Sequence, residues 1–410
     1  MKIVILDAYY YPENIAFSHL EKDIIEGLIA RGHAVSVVCP TPSRGLSDEV
    51  IVRYKKIKQE TRDGVEIQRF SAPREGKNPL MRAVRYYWCN CRQYIIAKRR
   101  RDADVIFAVS TPPTQGRMAG KAAKKLGVPF VYSIQDLFPD SLVTSGLGRE
   151  DSFLFRFGMM MEKKTYRLAS KLIVLSEPMR ETLLKRGAAA DKVAVVSNWI
   201  DTDAVSPVKK DDNPLFEEYD ISRDTFNVVY AGNFGASQGA DIILRAAQLL
   251  RDNRDISFVI FGGGTEYESA KALAKELRLD NVKMLDLLPA ERVAQVYSLG
   301  DIALITCKKG VGKSAVPSKL WSIMACDTPI VASFDTDSEL SRIIEESGAG
   351  VCVEPERPEM LARAIENAAS KDGLKRSGDA SIRNYAVGHA SKENSVKRYV
   401  ECIENAAMPE

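Results

Sequence analysis

The sequence predicts an α/β protein built as two Rossmann-like domains facing each other across a cleft. Three observations carry this. Short apolar, β-branched runs alternate with amphipathic segments, the pattern of a parallel sheet with crossover helices. The rhythm breaks once, over a polar stretch near the middle of the chain, and then begins again. The strand runs are almost continuously apolar, which suits sheets covered on both faces. At 410 residues the chain has room for two or three domains of about 150 residues and for a large core.

In the first half the strand runs are KIVIL, AVSVV, VEIQRF, DVIFAV, PFVYSI, KLIVL and VAVV. Helical patterns fall at 15–32, 79–99, 114–126, 152–169 and 178–186. After Asn198 the chain turns polar and holds Pro207 and Pro214 around the run KKDDN, which reads as a linker. The second alternation is FNVVYAG, a helix over 239–253, ISFVIFGGG, a helix over 266–278, NVKML, a helix over 290–299, and DIALIT. It continues with helices at 318–326, 338–346 and 358–370 around the strands TPIVAS and GVCV. The expected division is a first domain over 1–205, a linker over 206–222, a second domain over 223–380 and a helical tail over 381–410 that packs back on the first domain.

Composition narrows the function classes. Hydrophobic residues make up 45% and charged residues 28%, as in ordinary globular proteins. Lys+Arg 58 against Asp+Glu 55 leaves +3, so nothing global points to nucleic acid. The seven cysteines show no zinc spacing and read as free thiols of a reducing compartment. With three histidines, metal chemistry is not expected. The N-terminus lacks a signal h-region, and no apolar run approaches the length of a membrane span.

Several loops carry candidate chemistry. The turn YAGNFGASQGADIIL places Gly232, Asn233, Gly235, Gln238 and Gly239 after the first strand of the second half. Small residues there let backbone amides approach a ligand at the carboxyl edge of the sheet. FGGG, with Gly263, ends the next strand on the same edge, and Pro289 follows the third. The glycine spacing is not G-x-G-x-x-G, which disfavours a dinucleotide. GVGKSA within CKKGVGKSAV at 307–316 looks like the phosphate loop of a triphosphatase, but Cys307 stands where the first glycine is needed and Pro317 would break the helix that must follow. The stretch reads better as a loop, carrying Lys313 and Ser314, ahead of a helix N-capped by Ser318. Lys319 in the first turn and Ser322 after it make an anion site. On the matching edge of the first half, Asp7, Glu13, Asn14, Gln135, Asp136 and Asp140 sit at strand ends. Residues 74–101 hold nine Lys or Arg against Glu75 alone, with Leu80, Val84, Tyr87, Trp88, Cys91 and Ile95 at helical spacing. Arg82, Arg85, Trp88 and Arg92 in that stretch suit an interface with anionic lipid.

Taken together, SIQDLFPDSL, SNWID, YAGNFGASQG, FGGGTEYESAK and VPSKLWSIMACDTPIVAS resemble the GT-B glycosyltransferases of family 4, with the nearest likeness to bacterial fucosamine-transferase-like enzymes of surface polysaccharide assembly. The resemblance covers essentially the whole chain. It implies the GT-B fold and retaining transfer from a nucleotide-diphosphate sugar, by resemblance a UDP-sugar, held by the second domain. It also implies an acceptor carried on polyprenyl diphosphate, a cytoplasmic enzyme peripheral on the inner face of the membrane, and no metal or other cofactor. Lys319 then becomes the diphosphate clamp, Asp136 the carboxylate nearest the acceptor, and Glu13 its alternative. Where the family usually has Arg and Lys, this chain has Asn233 and Gln238. The family's two spaced glutamates fall at Ser314 and Ser322, and a common histidine falls at Gln135. A catalytically silent subunit that binds a nucleotide sugar or another transferase is the alternative these departures leave open.

Overall fold

The computed structural model describes residues 1–13, 17–75, 79–144, 148–149, 151–312, 316–374, 376 and 380–408. Asn14, Lys313 and Ser314 lie outside the described residues. The chain divides into two compact units, one of residues 1–198 with 393–410 and one of residues 199–392.

The first unit runs β1 (Lys2–Leu6), α1 (Ser18–Ala30), β2 (Ala34–Pro40), α2 (Asp48–Lys55), β3 (Gln59–Arg62), β4 (Val65–Phe70), α3 (Pro79–Ala97) and β5 (Val105–Val109). It continues with α4 (Gln115–Leu126), β6 (Phe130–Ile134), α5 (Asp140–Thr144), α6 (Phe153–Leu168), β7 (Lys171–Val174), α7 (Glu177–Lys185) and β8 (Val193–Val195). The sheet order is β3-β4-β2-β1-β5-β6-β7-β8, parallel except for β3. In register, Ile3–Leu6 lie between Val35–Val38 and Val105–Ala108. Every residue of β5 and β6 is buried, as continuous apolar runs require when helices cover both faces.

The second unit holds α8 (Leu215–Glu218), β9 (Phe226–Asn233), α9 (Asp241–Leu249), β10 (Ile256–Gly263), α10 (Tyr267–Glu276), β11 (Val282–Asp286), α11 (Val293–Leu299) and β12 (Ile302–Thr306). Then come α12 (Lys319–Ala325), β13 (Ile330–Ser333), α13 (Glu339–Ser347), β14 (Gly350–Val353), α14 (Pro358–Ala369) and α15 (Ser381–Ala390). Its six strands are all parallel, in the order β11-β10-β9-β12-β13-β14. The order reverses at β9 and β12, so the loops after these strands part there. That is where open α/β sheets leave room for a ligand. The last helix, α16 (Lys392–Ala407), belongs almost wholly to the first unit.

The structure moves the expected boundaries. The stretch read as a linker over 206–222 is packed into the second unit: Leu215, Phe216 and Ile221 join its core together with Val205. Asn213 is fully buried and donates to the carbonyl of Gln295 at 2.7 Å. The tail divides. Ile382, Ala386 and Ala390 of α15 lie in the second core, and Arg383 donates to the carbonyls of Thr202 and Ala325. α16 packs in the first unit, where Val396 and Val400 press on Gly27 so closely that a Cβ there would fall 2.5 Å from a Val396 methyl carbon. His33, between α1 and β2, meets Glu404 of α16 at 2.8 Å.

Candidate functional site

In the second unit, β9 ends in Gly232 at φ 153, a conformation that side chains disfavour. The Tyr230 hydroxyl donates to the carbonyl of Asn233 at 3.1 Å and holds this strand end. The Lys308 amide donates to the Ser237 carbonyl at 3.0 Å, tying the loop after β9 to the loop after β12. Between these loops and the start of α12 lies a cavity of about 570 Å³. Of the residues expected to bind the donor, Gly232, Asn233, Gln238, Ser318, Lys319 and Ser322 line it together. Pro289 lines a smaller hollow of about 190 Å³ that shares Ala231, Gly232 and Tyr297 with the first. Gly235 and Gly263 line neither: a Cβ at Gly235 would sit 2.7 Å from the Asn233 amide nitrogen, and one at Gly263 would sit 2.9 Å from Leu287.

Lys319 is the centre of the cavity's electrostatics. Its stem is half-buried, but Nζ is shielded from water and has no hydrogen-bond partner among the described residues. It lies 4.2 Å from the centroid of the Tyr230 ring, a cation–π contact. Burial lowers its pKa to about 8. Gly232 makes room for it, since a Cβ there would fall 2.6 Å from Nζ. A desolvated ammonium without a counter-charge, opening into a roomy cavity, is a place for an anion.

One expectation about these loops changes. Ser318 does not cap α12; it has helical backbone angles and its side chain caps nothing. In the loop ahead of it, the amides of Gly310 and Gly312 donate to the Asp335 carboxylate at 2.9 and 2.8 Å, in keeping with the reading of this stretch as a loop rather than a phosphate cradle. The sequence reading missed Tyr230, Thr306, Tyr297 and Phe334. Tyr230, two residues before Gly232 on the same strand, was the one a period-2 count could have placed on the lysine's side.

The first unit commits most of its strand-edge polar groups internally. Glu13 is buried, and one carboxylate oxygen accepts from the amides of Ser43 and Arg44 at 2.7 Å each. Burial raises its pKa. Asp7 accepts from the Tyr9 amide at 3.1 Å, and burial pushes its carboxyl up to about 7. Glu21, hydrogen-bonded to Asp7, is raised for the same reason. Asp140 forms a two-pronged pair with Arg186 at 2.7 and 2.6 Å. Gln135, expected near the acceptor, is held in a network: its amide donates to Ser133 at 2.9 Å, accepts from Asn198 at 3.2 Å and reaches Tyr399 of α16 at 3.4 Å. Asp136, by contrast, stands exposed after β6. Desolvation by the surrounding protein raises its carboxyl above the ordinary aspartate value.

The lipid-facing set is also redrawn. Arg85 is 1% exposed, not solvated; it donates to the carbonyl of Pro73 at 2.6 Å. Arg82 pairs with Glu75 at 3.2 Å. Trp88 is half-exposed with its indole nitrogen donating to Ser71 at 3.1 Å, and Arg92 is exposed. Among the described residues no three His, Cys, Asp or Glu come together as a metal cluster, and no helix is long and apolar enough to cross a membrane.

Comparison with known proteins agrees with this geometry. One family model, a glycosyl transferase 4-like domain, matches residues 22–199, and a second, glycosyl transferases group 1, matches residues 211–386. The probable glycosyltransferase WbjE of Pseudomonas aeruginosa is 28% identical over 343 residues, 83% of this chain and 84% of that protein. The putative colanic acid biosynthesis glycosyl transferase WcaI of Escherichia coli (strain K12) is 26% identical over 413 residues, 98% of this chain and all of that protein. The structure of Anabaena Alr3699/HepE in complex with UDP superposes with a TM-score of 0.72 at 15% identity, covering 99% of this chain and 100% of that one.

Proposed function

The chain belongs to the group 1 glycosyl transferases of family 4, with the two parallel-sheet α/β domains of the GT-B fold, and from that premise we propose that it transfers a hexosyl or N-acetylhexosaminyl unit from a UDP-sugar to a polyprenyl-diphosphate-linked glycan in surface polysaccharide synthesis, with retention at the anomeric carbon. The observation that carries the donor side is the unpaired Lys319 ammonium in its 570 Å³ cavity at the point where the strand order reverses. The relative named for colanic acid biosynthesis and the fold-mate solved with UDP support the choice of pathway class and base.

In the transfer the bond from the anomeric carbon to the phosphate oxygen breaks. The acceptor hydroxyl oxygen bonds that carbon, its proton passes to the departing diphosphate, and UDP leaves. Negative charge grows on the diphosphate as the bond breaks. Lys319 is a preorganised cation already stripped of water, so its interaction strengthens toward the transition state. Asp136, a solvated carboxylate at a strand end, is assigned to receive the acceptor hydroxyl. No metal or other cofactor enters this proposal, since Lys319 supplies the counter-charge.

The test is calorimetric titration of the full-length protein with UDP, ADP and GDP, followed by turnover with UDP-sugars and a lipid-linked acceptor. UDP binding that is tighter than that of the other two is expected. Failure of all three to bind would overturn the donor assignment. The absence of a carboxylate at Ser322, which faces the cavity, favours a second reading as a silent nucleotide-sugar-binding subunit. UDP binding without turnover across a full sugar panel would select it.

A further inference from the structure

The helix α3 is built inside out. Its buried positions include Arg85, Cys89, Gln93 and Ala97, four residues apart in series, with Asn90 beside them. These are the polar and small residues. The apolar ones of its first half face water: Met81 is 53% exposed, Val84 51%, Tyr87 69% and Trp88 49%, while Tyr94 and Ile96 further along pack against the core. A helix normally turns its apolar stripe to the core. Here the core face is satisfied by hydrogen bonds instead, with Gln93 donating to the carbonyls of Asp7 and Val38 at 2.7 and 3.1 Å and Asn90 donating to Thr114 at 2.7 Å.

A second helix repeats the pattern. On α6, Phe153 is 83% exposed, Leu154 50%, Phe157 43% and Met160 41%, and the two phenylalanine rings stack at 6.3 Å. Between α3 and α6 lies α4, packed against both. Its Gly120 and Gly116 let it close on α6, where Cβ atoms would fall 2.7 Å from Leu168 and Thr165. The three helices thus form one layer on one face of the sheet.

Topology orders the chemistry within that layer. Each helix is a crossover between parallel strands, so all three begin at the carboxyl edge of the sheet and run away from it. The exposed apolar residues occupy the first halves of α3 and α6, next to that edge. Most exposed cations occupy the second halves: Arg92 on α3, Lys121, Lys124 and Lys125 on α4, Lys163, Lys164 and Arg167 on α6, with Arg156 standing among the exposed apolar residues of α6. The sequences of the three helices hold three, four and four Lys or Arg, against one acid, Glu162. Glu162 is buried, and desolvation raises it to about 8, so it brings little negative charge at neutral pH.

We propose that this α3–α4–α6 layer is a docking surface for an anionic lipid bilayer, its apolar band entering the interface beside the carboxyl edge and its cationic band lying on the headgroups. The lack of any exposed carboxylate on three adjoining helices is the charge complement of such a surface. Contiguous exposed apolar residues rimmed by charge mark a contact site. The proposal rests on the transferase reading only for why a bilayer would be useful; the surface itself does not depend on it.

The test uses the full-length protein and vesicles of equal parts phosphatidylcholine and phosphatidylglycerol, with phosphatidylcholine alone as control. Co-sedimentation with the mixed vesicles only is expected, weakening as salt shortens the screening length below about 8 Å. Each cation near such a surface is worth about fivefold in partitioning. Replacing Lys121, Lys124, Lys163 and Lys164 by Gln should therefore weaken binding about a hundredfold or more. Phe153→Ser with Phe157→Ser should weaken binding to the same mixed vesicles while leaving the salt dependence in place. All substituted residues are exposed, and UDP titration of each variant separates the two readings: vesicle binding without UDP binding keeps the surface and sinks the donor site. Wild type that ignores the mixed vesicles at low salt overturns the proposal. So does self-association abolished by the phenylalanine variant without vesicle binding, which would mean that a second copy covers the face.

Discussion

Replacing Lys319 by Met should make the protein more stable and unable to hold its donor. The ordinary lysine value of 10.5 falls to about 8 in the fold because Nζ is desolvated and unpaired. A drop of that size corresponds to about 3 kcal/mol of strain on the charged form. The Tyr230 ring returns on the order of 1 kcal/mol of it. Methionine keeps the length and apolar stem without the charge, so at pH 7 the unliganded variant should gain about 1–3 kcal/mol, a rise of a few to about ten degrees in Tm. The sign follows from proton binding. Between about 8 and 10.5 the unfolded chain holds the lysine proton and the folded one does not, so wild-type stability climbs across that window. The advantage of the variant should accordingly shrink to nothing by pH 10.5. UDP would pair the ammonium and restore its proton, so titrations near pH 9 should show proton uptake as a heat that depends on the buffer. In turnover, loss of one such contact should cost about 2–4 kcal/mol, mostly in kcat. The assays are thermal melts across pH 6 to 11 and calorimetry in two buffers. A variant no more stable at pH 7, with unchanged UDP affinity, would refute the reasoning.

Gly232→Ala places a Cβ 2.6 Å from Nζ of Lys319 and strains a backbone at φ 153, so UDP affinity should fall about tenfold or more by calorimetry. Asp7 is raised to about 7, so the stability it contributes is complete below its ordinary value and is lost as pH rises through about 7. Asp7→Asn should therefore raise Tm at pH 8 and make little difference at pH 4. Asp136→Asn should lower kcat/KM for the acceptor ten- to a hundredfold, the worth of a hydrogen bond to a charged group, with UDP affinity unchanged; equal activity would make Asp136 a loop residue only.

Much of the architecture was legible because parallel strands are buried on both faces and leave unbroken apolar runs. The cavity at the carboxyl edge of the second sheet was legible as well, since glycines and the PSK start of α12 cluster at strand ends. What was misread follows a common cause. The span 206–222 reads as a linker because its apolar residues lack a period, yet Leu215 and Phe216 of the single-turn α8 and Ile221 just after it pack into the core. The hairpin of β3 and β4 went unseen although Asp63-Gly64, both with positive φ, is a strong two-residue turn signal; QETR offered no apolar alternation to set beside it. Arg85 looked solvated because a helix with arginines and aromatics is normally sorted by polarity. Only tertiary context, the carbonyl of Pro73 and the nearby Glu75, shows that an arginine can be the buried member.

Lys319 and the inverted face of α3 are violations of the same rule. A buried ammonium without a partner and tryptophan, tyrosine and methionine held in water both cost folding free energy. Sequences rarely keep such misfits except where something bound relieves them. The relief each misfit calls for is specific. An unpaired cation in a 570 Å³ cavity calls for an anion of nucleotide size, whereas an apolar band beside a cationic one calls for an anionic interface. The two lie in different units and draw on different interactions, one electrostatic and short in range, the other hydrophobic with a salt-dependent component. Each ligand should stabilise the fold by RT ln(1 + [L]/Kd) on its own account. With both bound, two independent sites should give contributions that simply add. A bilayer that tightened UDP binding would therefore require the two units to communicate through a change of conformation.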